Sequence, residues 1–330
     1  MRAALLGCLL FASTLVHAAE LPPPAPAAVL ETVVVSGEQP GPGLWRVTKD
    51  DHVLWVLGTL SPLPKRMEWV SREVERVVAG AQRVLLSPQA SVDIEGGALA
   101  GVFLLPSLLK ARNNPDKQRL SDVVPAELYA RWLPLKRKYI GSSGAVEKRR
   151  PIFAALELYE QATESAGLRL NSRVGDTVEK LAKKHRVATE RPSIKIKLAA
   201  PRQVLREFSR SELDDLDCLR KTVERLETDL PAMQLRANAW AVGDIEALRA
   251  LPFVDQGQAC RDAMLRNSAV QEHGMGDINE RVAAVWLAAA EATLRDNTVS
   301  LAVLPIGEIL GEDGYIATLR ARGYQVEAPL

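Results

Sequence analysis

Glu308 is the side chain whose setting most suggests chemistry. It lies in Val303-Leu304-Pro305-Ile306-Gly307-Glu308-Ile309-Leu310-Gly311-Glu312-Asp313-Gly314, where an apolar run gives way to a glycine-rich turn. A carboxylate there is a competent ligand for Mg, Mn or Zn and a competent general acid or base. Its bland role is a structural salt bridge, and spacing identifies no second carboxylate to pair with it. A comparable turn near the start is Leu54-Trp55-Val56-Leu57-Gly58-Thr59-Leu60-Ser61-Pro62-Leu63-Pro64, an apolar run broken at glycine and bounded by prolines. The end of a sheet strand is a sensible place for a site, because loops there line a crevice. The hydroxyl of Ser61 stays protonated at neutral pH and is a poor metal ligand, so its plain role is to cap the turn before Pro62. Generic catalytic signatures are missing: there is no Gly-x-Ser-x-Gly, His-Glu-x-x-His, Gly-x-x-x-x-Gly-Lys or Cys-x-x-Cys. His52, His185 and His273 each read as surface residues, beside a turn, in a Lys-rich helix end and in a Gly-rich loop.

The chain has 330 residues, 47% hydrophobic and 25% charged, a globular composition. Forty-two Lys and Arg against 41 Asp and Glu leave a net charge of +1, so no global field draws in nucleic acid or an acidic membrane surface. Residues 1–18 read as a cleaved export signal: Arg2 is the charged start, residues 3–15 are apolar, and Val16-His17-Ala18 is a small-residue cleavage site. The mature protein is then expected to be periplasmic or secreted, with no transmembrane span. Removing the signal takes Cys8 with it and leaves Cys218 and Cys260. In an oxidising compartment these are expected to pair, stabilising the fold by roughly 3–4 kcal/mol through loop closure.

These residues need a scaffold, and the pattern supplies one. Residues 19–42 read as a Pro/Gly-rich flexible segment, with a short edge strand over the apolar run 29–35 as the other reading, and the folded part is expected to begin near residue 43. Residues 44–48 and 52–57 read as a hairpin, Val70, Val74, Val77, Val78 and Ala81 as a helix face, and 83–86 as a buried strand. Helices follow over 98–111, 125–139, 151–166 and 174–186, with Pro125 and Pro151 suited to first-turn positions. Residues 193–198 alternate as a strand. A long charged helix is expected over 202–230, another over 232–250 interrupted at Gly243-Asp244, and a third over 277–295. The last strands are 299–304 and 324–327, separated by a segment that Gly323 caps.

The two turn segments resemble the TraB/GumN family (TraB/PrgY/GumN), which includes the Tiki proteins. In that family each segment presents a histidine, and both are proposed ligands for a divalent metal in a hydrolytic centre. The matching positions here are Ser61 and Glu308. The family's acidic residue after the second strand corresponds to Ser87, next to Pro88. Further marks are Ala239-Trp240-Ala241-Val242-Gly243-Asp244, which resembles a Trp-x-x-Gly-Asp segment, the Arg266-Asn267 pair, and the Arg150-Pro151 step. The middle acidic motif matches less well: 193–198 offers Lys195 and Lys197, and the nearest acid is Glu190.

The resemblance covers roughly residues 43–330. It implies one α/β domain with a central, mainly parallel or mixed sheet flanked by helices and a large helical insertion over about 98–295. That fold is related to ChaN-like haem-uptake proteins and erythromycin esterases. Around the site positions Ser61, Ser87 and Glu308, the resemblance assigns Gly58, Thr59, Pro64, Arg266, Asn267 and Gly307 to binding, with Arg266 either holding an anionic group of a substrate or forming an ion pair on a helix end. Two functions follow as expectations. One is an exported, catalytically degenerate protein that binds an envelope protein or small ligand without a cofactor. The other is a hydrolase using Glu308, either metal-free or with a divalent metal such as Mn or Co.

Overall fold

A computed structural model describes residues 41–69, 71–94, 97–171, 173–198, 200–251 and 256–329, with only the backbone of 97–100. The export signal at 1–18, the Pro/Gly-rich segment up to residue 40, and Val70 lie outside the described residues.

The strands in chain order are β1 (Leu44–Lys49), β2 (His52–Thr59), β3 (Leu63–Pro64), β4 (Arg83–Leu85) and β5 (Gln89–Ile94), then β6 (Leu168–Arg169), β7 (Ala188–Glu190), β8 (Ser193–Leu198), β9 (Val299–Pro305) and β10 (Gln325–Glu327). Six of them form the main sheet in the order β10-β1-β2-β9-β4-β7. β2, β9, β4 and β7 run parallel, and the β1–β2 hairpin turns back antiparallel to meet β10. The fold is therefore mixed α/β, with a largely parallel sheet. β9 lies at its centre, and Leu301, Ala302, Val303 and Leu304 are all buried, as expected of a parallel strand covered on both faces. Val74 and Val78 of the helix Arg72–Gly80, Val174 and Val178 of the helix Val174–His185, and Trp286 of the helix Ile278–Asp296 complete this core.

A second core belongs to the helices. Leu120, Trp132, Ile152, Leu158, Leu219 and Met233 pack together, and the Cys218–Cys260 disulfide joins the helices Leu216–Thr228 and Gln256–Arg266 inside it. The helical middle is interrupted by β7, which was not expected and adds the outer strand of the main sheet, while β8 is the strand expected over 193–198 and pairs with β5 in a sheet of two strands. A strand as short as β7 has no readable period.

The single helix expected over 202–230 is two helices, Pro201–Arg210 and Leu216–Thr228. No glycine or proline marks the break at 211–215. Distant partners hold it open. The buried guanidinium of Arg150 donates to the carbonyls of Phe208, Ser209 and Ser211 at 3.0 Å each. The amide of Asn267 donates to Ser211 Oγ (2.8 Å) and to the Glu212 carbonyl (3.0 Å). The Asp215 carboxylate accepts from the Ile152 amide at 2.8 Å. Carbonyls left over at a helix end are thus satisfied by side chains far away in sequence.

Candidate functional site

The parallel strands bring the three expected site segments to one edge of the sheet. Thr59 ends β2 opposite Pro305, which ends β9, and Leu85 ends β4 between Ala302 of β9 and Glu190 of β7. Ser61, Ser87 and Glu308 follow those ends within a few residues, at the carboxyl edge where α/β proteins place their sites.

Among the described residues no hydrogen bond joins any two of them. Ser61 donates to the carbonyl of Leu170, just beyond β6, across a turn containing the cis Ser61–Pro62 peptide. Ser87 donates to the carbonyl of Val303 at 3.1 Å, and Arg191 reaches the Ser87 carbonyl at 3.2 Å while pairing with Glu179. Thr59 Oγ1 donates to the Leu304 carbonyl at 3.3 Å. Each hydroxyl ties its loop to the scaffold. None of the three histidines is hydrogen-bonded to these serines: His52 contacts the Leu294 carbonyl, His185 pairs with Glu75 at 2.9 Å, and His273 pairs with Glu207 at 2.7 Å.

Glu308 sits in the short helix Ile306–Leu310, and the glycines after it fix its backbone. Gly311 donates to the Gly307 carbonyl at 2.9 Å, and a Cβ on Gly314 would stand 2.5 Å from the Glu308 carbonyl oxygen. Burial raises the Glu308 carboxyl above the usual carboxylate range, opposed by the positive charge of Arg261. The Tyr315 phenol is pushed up to about 12, first by burial and then by the charge of Glu308. A carboxyl that holds its proton more tightly is suited to proton transfer. For a metal the donor set does not fit: the hydroxyls of Ser61 and Ser87 donate to carbonyls, and no group of three His, Cys, Asp or Glu able to hold an ion occurs among the described residues.

The remaining marked positions are largely part of the frame. Trp240 donates from Nε1 to the Gly58 carbonyl at 2.7 Å, and Gly58 leaves room for Ile306 and Ile309 against β2. Gly243 takes a positive φ of 72°, and a Cβ there would meet Gly41 and Gly43 at 3.1 Å. Asp244 caps the helix Ile245–Ala250 by accepting from Ala247 at 2.8 Å. Asn267 is buried, bonded to the 211–212 segment and capping Ala269 at 3.1 Å. Arg266 is exposed and faces Asp214 at 3.7 Å. Pro64 pairs across to Leu168 and lines a cleft of about 290 Å³ whose charged lining is Lys65, Arg169, Arg173 and Lys180 against Asp176.

Three residues near the site were not singled out for it, Arg261, Tyr315 and Arg191, and Glu190 was named only as the acid nearest the middle motif. Glu190 ends β7 at the same sheet edge, with its carboxylate 2.6 Å from Arg83. An acid closing a strand is a usable signal, but only once 188–190 is known to be a strand.

A sequence model of the TraB/PrgY/gumN family matches residues 43–328. The chain belongs to that family. The match spans both strand-end turns, so Ser61, Ser87 and Glu308 belong to the family region itself and not to an added segment. No curated protein and no solved structure matches the chain at a significant level. In this TraB/PrgY/gumN protein, two of the three positions matched by resemblance are neutral hydroxyls.

Proposed function

We propose that this TraB/PrgY/gumN protein is an exported, catalytically degenerate member that works by binding a small ligand or a partner protein of the cell envelope. The observation that carries this reading is the use of the site hydroxyls: Ser61 and Ser87 both donate to main-chain carbonyls of the scaffold, which leaves Glu308 as the single acidic group at those three positions. One carboxylate alone does not hold a divalent ion tightly, since Zn sites take three or four protein ligands, and Mg held by only one or two carboxylates depends on waters and substrate phosphates for the rest of its shell. The cationic cleft beside Pro64 gives a binding role somewhere to act. Export rests on the character of residues 1–18, and the paired cysteines suit a periplasmic or extracellular home.

A second reading has its own support. The burial that raises Glu308 prepares it as a general acid or base, as a rebuilt hydrolase would require. Elemental analysis of the purified protein, followed by calorimetric titration with Mn, Co and Zn before and after Glu308→Ala, separates the two. No stoichiometric binding supports the degenerate reading. Binding that disappears with Glu308 overturns it in favour of a metal-dependent hydrolase, and hydrolysis that survives chelation but not Glu308→Ala favours a metal-free one.

A further inference from the structure

The helix Gly97–Ala111 is apolar on the face it shows to solvent. Val102, Phe103, Leu105, Leu108 and Leu109 are between 44% and 69% exposed, whereas Leu104 and Ala111, about two turns apart on one stripe, are buried. Ala111 packs with Phe208 of the helix Pro201–Arg210, so the inner side of the helix is already covered by protein. Half of the large apolar side chains most exposed among the described residues lie on this helix. A helix apolar around its whole circumference belongs in an apolar environment, and an exposed patch of this kind marks an interaction surface.

We propose that this helix docks the protein onto an anionic phospholipid surface. The charges around the patch select that occupant. The groove beside Phe103 and Leu104 is lined by Arg202 and Arg206 and by no acid, and Lys110 lies in the last turn of the helix itself. Among the described residues, no ion pair engages Arg202, Arg206 or Lys110. Glu207, the neighbouring acid, binds Gln203 at 2.8 Å and His273 at 2.7 Å and feels the charge of Arg206 only as the smallest of the influences on its carboxyl. An apolar face rimmed by cations is the pattern of helices that lie in the membrane interface, burying their apolar side chains while the cations meet headgroup phosphates. A second copy fits less well, because a two-fold pairing brings the same patch against itself and sets the arginines of both copies near one another without an acid between them. The attraction is local, since the whole chain carries a net charge of only +1. No helix among the described residues is long and apolar enough to cross a membrane, so the helix lies on the surface.

The test is cosedimentation of the full chain with phosphatidylcholine vesicles, with and without phosphatidylglycerol, combined with hydrogen exchange on the bound form. Sedimentation with the anionic vesicles and new protection confined to 97–111 and 201–206 is the expected result. The double variant Phe103→Glu, Leu105→Glu should lose that protection. Arg202→Gln, Arg206→Gln should weaken binding on the order of thirtyfold, about fivefold for each arginine that no longer meets the surface, and should reduce its salt dependence to what Lys110 supplies. Both pairs are exposed, so melting curves matching the parent show that the fold is kept. Absence of binding to either vesicle, or protection elsewhere on the chain, overturns the proposal. Concentration-dependent dimers in light scattering that Phe103→Glu dissolves would also overturn it and give the face to a second copy.

Discussion

Trp240 donates its indole N–H to the carbonyl of Gly58 at 2.7 Å, across 182 residues of chain. The bond fastens the last turn of the helix Leu230–Ala241 to the end of β2, where the site turn begins. Trp240 also meets Trp69 edge-on, with ring centroids 5.7 Å apart. Trp240→Phe keeps most of the packing and leaves a buried carbonyl without its donor, so the expected loss is about 1–3 kcal/mol. Urea unfolding should show a lower midpoint with an unchanged slope; an unchanged midpoint would mean that the bond contributes nothing.

The glycines around Glu308 are not equivalent. A Cβ on Gly314 would stand 2.5 Å from the Glu308 carbonyl oxygen, whereas a Cβ on Gly307 meets nothing within 4 Å. Gly314→Ala forces the backbone of the site turn to move and should cost about 1–3 kcal/mol. Gly307→Ala should be neutral or stabilising by up to about 1 kcal/mol, because it removes freedom from the unfolded chain. Thermal melts of the two variants decide the order.

Asp215 gives the fold a pH dependence of known sign. Burial pushes its carboxyl up to about 6 from the ordinary 3.8 of an aspartate, against the Ile152 amide and Arg150. The folded state therefore keeps a proton that the unfolded state loses as the pH rises. The stabilisation from this group is complete below about 3.8 and is lost as the pH passes through about 6. Asp215→Asn keeps an acceptor for Ile152 and removes the titration. Relative to the parent, the variant should gain on the order of 2–3 kcal/mol between acid and neutral pH. A constant difference between the two across that range would show that Asp215 does not titrate as described.

The Cys218–Cys260 bridge closes a loop with a sequence separation of 42 inside the helical core. The chain-entropy relation gives it about 4 kcal/mol. Reduction, or Cys218→Ser with Cys260→Ser, should lower stability by that order in denaturant titrations, with the reductant having no effect on the double variant.

Several elements could be read directly from the sequence. The hairpin over residues 44–59, the valine stripe of the helix Arg72–Gly80 and the apolar run of β9 carry their period or their continuous burial in the residue types themselves. The cysteine pair followed from there being no other partner. What could not be read depends on contacts between distant segments. The break at 211–215 is written in Arg150, Asn267 and Asp215, none of which disturbs the helical period of its surroundings. The same holds at the site. The order of strands places Thr59, Pro305 and Leu85 at one edge, but the hydroxyl of Ser61 turning to Leu170 and that of Ser87 turning to Val303 are products of tertiary geometry. Trp240 was legible as a motif residue and not as the donor to Gly58.

β9 occupies the middle of the sheet although it is among the last strands in the chain. β2 and β4 each pair with it and not with one another, so for most of the length of a growing chain these two strands have no common neighbour. Pairing residue 53 with residue 299 also closes a very large loop, which is entropically slow. The sheet can therefore be completed only once β9 has been made: the hairpin of β1 and β2 and the β4–β7 pair have their partners earlier in the chain, and the edge that carries Ser61, Ser87 and Glu308 is whole only when β9 lies between its two neighbours.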